Sequence, residues 1–212
     1  DIDVLTHEAG HAFMADCSAK HNRLPEYLFG SSESCEIHSM SMEFFTERYM
    51  ELFFGDQAEE YRKMHLEDAV AFIPYGCMVD EFQHIVYDNP NLTPAQRKEA
   101  WKKLEAEYKP HMKYEEESSF FAEGGFWQRQ HHIYSFPFYY IDYAIAQTDA
   151  FQYKIWMQKD YHAAWESYLA FCKSSASDFF TNTVKAAGLD SPFEEGTIGK
   201  IVERLREIYK KM

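Results

Sequence analysis

Apolar residues recur every three or four positions along almost the whole chain, the spacing that lines one face of an α-helix. Residues 2 to about 17 carry Val4, Leu5, Ala9, Ala12 and Phe13 in this way, and residues 35 to about 54 carry Met40, Phe44, Met50 and Phe53. Gly30, Ser31 and Ser32 punctuate the gap between them. Residues 56 to about 87 predict one long helix or two, with Pro74 as the place for a kink and Asn89-Pro90-Asn91 as the end. Thr93-Pro94-Ala95-Gln96 restarts the pattern, with Thr93 as N-cap and Pro94 in the first helical position.

Residues 109 to 136 are the least regular, holding Pro110, Ser118, Ser119, Gly124 and Gly125, and read as a long loop with some helix. Helical spacing returns from 138 to about 173 with a break near Asp160, and short helices near 178–187 and 198–211 finish the chain. No segment alternates as a half-buried strand does, and no repeat of fixed period occurs. The predicted fold class is all-α.

Composition narrows the picture further. With 212 residues, 46% of them hydrophobic, the chain can bury the core of one domain or of one large lobe. It has no apolar run of about eighteen residues and no basic-then-apolar opening, so neither a membrane span nor a signal peptide is predicted. Lys and Arg number 21 against 35 Asp and Glu, and a net charge of −14 argues against nucleic acid as a partner. Cys17, Cys35, Cys77 and Cys172 are scattered without a C-x-x-C pair, which fits reduced thiols in the cytoplasm.

One pentapeptide carries chemistry. His7-Glu8-Ala9-Gly10-His11 puts two imidazoles four residues apart on one helical face, where both reach a single ion, and sets Glu8 beside them as a candidate general base for water. Chance would produce HExxH roughly once in twenty such chains, so the context has to add weight. A catalytic zinc takes three protein ligands and leaves a fourth position open. An extended metzincin motif is excluded, because Met14 and Cys17 stand where its Gly and His belong. A carboxylate from the next helix is the other common solution, and by spacing Glu33, Glu36, Glu43 and Glu47 all qualify.

The segment Glu36-Ile37-His38-Ser39-Met40-Ser41-Met42-Glu43, 25 residues beyond His11, together with the pentapeptide resembles the oligoendopeptidase F and thimet oligopeptidase family. In that family the helix after HExxH reads E-x-x-S-x-x-x-E and its first Glu is a ligand. The resemblance implies a zincin-type helical lobe with one Zn2+ per chain, held by His7, His11 and Glu36. Glu43, two turns further along the same face, can hydrogen-bond a ligand histidine from outside. A further segment, His131-His132-Ile133-Tyr134-Ser135-Phe136-Pro137-Phe138-Tyr139-Tyr140-Ile141-Asp142-Tyr143, resembles the family's histidine-and-tyrosine segment that closes over substrate. It implies Tyr143 and His132 as donors to a developing oxyanion, with Tyr139, Tyr140 and His131 as substrate contacts. The H-I-Y context favours His132 over His131. Gly124-Gly125 reads either as the hinge of that segment or as a plain turn.

The implied activity is zinc-dependent hydrolysis of internal bonds in short peptides. The expected domain is a single C-terminal catalytic unit over 1–212 that lacks a preceding helical region, since the chain starts at Asp1 only six residues before the motif. Two other readings stand beside it. Glu8-x-x-His11 and Glu81-x-x-His84 form the paired E-x-x-H signature of di-iron helical bundles, with Glu43 and Glu117 as further ligands. A catalytically silent zinc-binding helical module is the third, although an intact Glu8 argues against it.

Overall fold

The structure, a computed structural model, describes residues 1–115, 119–174 and 176–212. All regular structure among them is helical: α1 (Ile2–His21), α2 (Ser32–Thr46), α3 (Glu51–Phe54), α4 (Ala58–Asp88), α5 (Pro94–Tyr108), α6 (His131–Ser135), α7 (Tyr140–Met157), α8 (Tyr161–Ser174), α9 (Phe180–Ala186) and α10 (Thr197–Tyr209). The all-α expectation holds. No described helix is long and apolar enough to cross a membrane.

Several elements depart from the pattern in the sequence. α1 runs to His21, past the last apolar repeat, and Lys20 and His21 in its final turn suit the negative end of the helix dipole. The expected helix over 35–54 is three pieces, because Thr46 turns its hydroxyl back onto the carbonyls of Met42 and Glu43 and the chain then tightens into a 3-10 turn at Glu47–Tyr49. α4 continues without interruption through Pro74 for 31 residues, so the kink does not occur as a break in the helix. Thr93 caps α5 as expected, its hydroxyl accepting from the Gln96 amide and the Gln96 side chain accepting from the Thr93 amide. In the expected loop, residues 121–129 form a π turn and a 3-10 turn. Gly124 there has φ +86° and a Cβ on it would meet the Lys98 carbonyl oxygen at 2.0 Å, so this glycine serves a close approach to α5. Ser118 and Glu117 lie outside the described residues.

The chain folds as two compact units, residues 1–69 with 145–212, and residues 70–144. In the first, α1 lies on α2 through a ridge at intervals of four, Thr6, Gly10, Met14 and Ser18, all buried. Phe13 of α1 stacks with Tyr168 of α8, and Phe45 of α2 packs against Tyr153, Trp165 and Tyr168. In the second unit Met78, Val79, Phe82, Trp101, Leu104, Trp127 and Tyr140 form the core.

Gly10 sets how closely α1 approaches α2. A Cβ on Gly10 would lie 2.7 Å from the Ser39 Cα, 2.8 Å from the His38 carbonyl oxygen and 2.9 Å from the Met42 Cβ. The first two are backbone atoms, so no rotamer change relieves them. Alanine's helix preference over glycine, about 1 kcal/mol, offsets only part of the overpacking cost, which two unyielding backbone contacts put at about 2–3 kcal/mol, the upper half of the usual range. Gly10→Ala is expected to destabilise the chain by about 1–2 kcal/mol, read as a lower urea midpoint at unchanged slope; an equal or higher midpoint would show that the helices separate without cost.

Candidate active site

α1 and α2 are the two helices that carry the candidate metal ligands. Because Gly10 faces α2, the flanking His7 and His11 are turned toward the same helix, while Glu8, one position away, is exposed. Glu36 is only 3% exposed, and its Oε2 lies 3.3 Å from His7 Nε2 and 3.5 Å from His11 Nε2. The hydroxyl of Ser39, one turn on, donates to the same Oε2 at 3.0 Å and holds the carboxylate in place. Among the described residues this is the one group of three or more His, Cys, Asp or Glu side chains close enough to share an ion.

The donor set fits zinc. Bonds of about 2.0–2.1 Å at tetrahedral angles separate neighbouring ligand atoms by about 3.3 Å, against 3.3 and 3.5 Å from the carboxylate oxygen to the two imidazole nitrogens. The electrostatics agree. Burial pulls the His7 pKa down, yet hydrogen bonds to Glu36 and Glu43 outweigh it and raise the pKa to about 9, so this spot favours positive charge.

Glu43 approaches His7 from the other side, its Oε1 2.7 Å from His7 Nδ1. An imidazole that donates Nδ1–H there presents the Nε2 lone pair toward Glu36, the arrangement ligand histidines use. The second oxygen of Glu43 meets His65 Nε2 at 2.7 Å, and although burial raises the Glu43 pKa, the bonds to His65 and His7 bring it below the usual carboxylate range. Glu33 is half-buried and Glu47 is engaged by His65 and Lys154, so of the four carboxylates that spacing allowed, only Glu36 joins the two imidazoles. His65 and Lys154 went unread in the sequence. Neither belongs to a motif, and only packing joins α4 and α7 to α2.

The histidine-and-tyrosine group belongs to the second unit. The Tyr75 hydroxyl donates to Gln130 Oε1 at 2.7 Å, which turns the Gln130 amide nitrogen to His132 Nδ1 at 2.9 Å. An Nδ1 that accepts leaves the proton on Nε2, and Nε2 lies 3.4 Å from the Tyr143 hydroxyl. His132, Tyr139 and Tyr143 are half-buried, with the Tyr139 and Tyr143 rings 5.1 Å apart. Tyr140 instead sits in the core against Phe72 and Tyr75, and burial pushes its pKa up to about 12. His131 is exposed and bonds Ser135 of its own helix.

Three of the residues drafted for a di-iron site are engaged elsewhere, and Glu117 lies outside the described residues. Glu81 accepts from Tyr108, His84 pairs with Asp80, and Glu43 is shared by His7 and His65.

Comparison with known proteins covers the same stretch of chain. The model of Peptidase family M3 matches residues 1–202. An oligoendopeptidase F homolog of Borreliella burgdorferi is 26% identical over 220 residues, covering 99% of this chain and 36% of its own length. Among solved structures, PZ peptidase A with an inhibitor is 50% identical with a TM-score of 0.96 over the whole chain, which covers 37% of it. A structure from Bacillus anthracis that carries the name oligoendopeptidase F is 42% identical with a TM-score of 0.85, again over the whole chain and 34% of its own. The chain thus spans about a third of the length of these relatives. A match over all but the last ten residues, on a helical scaffold that superimposes on peptidases of this kind, establishes that the chain belongs to peptidase family M3.

Proposed function

We propose that this chain carries the catalytic centre of a zinc-dependent endopeptidase that hydrolyses internal bonds of short peptides, as its oligoendopeptidase F relatives are named for doing. The observation that supports it most is the meeting of His7, His11 and Glu36, two imidazole nitrogens and a buried carboxylate oxygen within 4.8 Å of one another. One zinc ion held by these three would supply Lewis acidity, polarising a peptide carbonyl and making water acidic near neutral pH.

The remaining work falls to side chains. Glu8, exposed beside the ligands, takes the proton of the attacking water and delivers it to the leaving amine. Tyr143 and His132 donate hydrogen bonds to the oxyanion, a role worth about 3–4 kcal/mol per donor in comparable sites. The Nε2–H tautomer that Gln130 imposes on His132 is the one such donation needs. Tyr139 contacts the substrate backbone, and Tyr140 and His131 contribute by holding this segment's packing and its exposed end. Glu43 fixes the orientation of His7. Short peptides are the proposed partners, without nucleic acid or membrane, and the four free thiols suit the cytoplasm as the setting.

Hydrolysis of a short internally quenched fluorescent peptide tests the reading. Stripping metal with a chelator is expected to reduce cleavage to background, and one equivalent of zinc to restore it. Cleavage that persists in metal-free protein, or that returns only with two equivalents of iron, would overturn it.

A further inference from the structure

Behind His7 runs an unbroken line of alternating charge. Glu43 Oε1 meets His7 Nδ1 at 2.7 Å, Glu43 Oε2 meets His65 Nε2 at 2.7 Å, His65 Nδ1 meets Glu47 Oε1 at 3.1 Å, and the Lys154 ammonium donates to Glu47 Oε2. These groups are largely shut off from water: Lys154 is 3% exposed, His65 7% and Glu47 8%. A neutral imidazole has one donor nitrogen and one acceptor. Both nitrogens of His65 face carboxylate oxygens, which only accept when ionised, so a neutral His65 would oppose lone pair to lone pair on one side. With His65 doubly protonated, Glu43, His65, Glu47 and Lys154 read minus, plus, minus, plus, and every contact is an N–H donated to an anion.

We propose that His65 is a positioning residue for the ligand His7: as an imidazolium locked between Glu43 and Glu47, it keeps Glu43 aimed at His7, so that Glu43 holds the His7 proton on Nδ1 and leaves Nε2 for the ion. The inference rests on the zinc reading of His7, His11 and Glu36. The ring of His65 has little freedom to do anything else, since Tyr61 stacks on it at 5.7 Å with planes 8° apart and Phe44 packs at 5.0 Å. The groups that face it are Glu43 from α2, Glu47 from the following turn, and Tyr61 on its own helix. Lys154 from α7 and Arg62 brace Glu47, the latter donating to the Glu47 carbonyl at 2.9 Å. In this surrounding, burial lowers the His65 pKa but the bonds to Glu43 and Glu47 raise it to about 9.

Without His65 the line breaks where it matters. Glu43 would keep one donor, lose its cationic neighbour and be free to rotate, and His7 would lose the partner that fixes its ring. Partners of ligand histidines typically change metal affinity by about 10–100-fold; His65 acts one contact further out, so a loss of about 10-fold is expected for His65→Gln.

The test uses the 212-residue chain with 15N-labelled histidine. In metal-free wild-type protein at pH 7.5, two-bond 1H–15N correlation is expected to show both His65 nitrogens protonated. Zinc affinity, measured by competition with a chromophoric chelator, is expected to drop about 10-fold in His65→Gln, while circular dichroism shows the same helix content. A neutral His65 in the wild type, or wild-type zinc affinity in His65→Gln, overturns the proposal. If His65→Gln does not fold, Glu47→Gln replaces it, and unchanged affinity there overturns the proposal equally. Failure of the zinc reading looks different: wild-type protein would then take up no zinc at all, and the nitrogen spectra would still decide the state of His65.

Discussion

Glu8→Gln is expected to retain one zinc per chain and to lose peptide hydrolysis by about 10²–10⁴-fold, the range that a positioned general base contributes. Glutamine keeps the size and the helix preference of glutamate and removes only the ability to accept a proton. Glu8 is exposed, with no hydrogen bond joining it to the ligand group, so the substitution leaves Glu36, Glu43 and the two imidazoles in place. Stability and zinc content should therefore match the wild type, with the loss confined to kcat. A variant that cleaves as fast as the wild type would take Glu8 out of the chemistry. A wild type that binds zinc yet never cleaves would favour the silent helical module.

Removing the carboxylate ligand should act on metal instead. In Glu36→Gln the side chain retains its volume and an oxygen for the Ser39 hydroxyl, but the charge that draws a cation to the two imidazoles is gone. Since groups one bond further from the ion already change affinity by about 10–100-fold, loss of an anionic ligand is expected to weaken zinc by more than about 100-fold. Hydrolysis should fall in proportion to occupancy and recover in part at high zinc concentration. Competition with a chelator of known affinity reads the effect, and a variant that holds zinc as tightly as wild type would show that another acid completes the set.

The helices were legible because their apolar periodicity is strong, and α5 because Thr93, Pro94 and Gln96 supply both a stop and a start. What could not be read were effects of a single local bond weighed against packing. Pro74 left one helix or two open, and although it removes one donor the 31-residue helix carries on through it. Thr46 gives no warning in the sequence, though its hydroxyl ends α2 eight residues before the periodic pattern fades.

At the site the same division holds. That His7 and His11 share one helical face follows from the helical repeat. Spacing left four carboxylates on or just after α2 as candidates, and family resemblance singled out Glu36; its meeting with the two imidazoles depends on how α2 turns under Gly10, a tertiary fact. Tyr140 belongs to an aromatic run in which sequence cannot separate core from surface, and it lies in the core while Tyr139 and Tyr143 do not. His65 lies eight residues into a long helix, 54 residues after His11, and only the fold reveals that it backs the ligand side of α1.

One measurement bears directly on the ion itself. A crystal of the zinc-soaked chain, with diffraction recorded on both sides of the zinc absorption edge, is expected to give one anomalous peak per chain within about 2.0–2.2 Å of His7 Nε2, His11 Nε2 and a Glu36 oxygen. A peak that leaves Glu36 out, or zinc bound only at other side chains, would contradict the account.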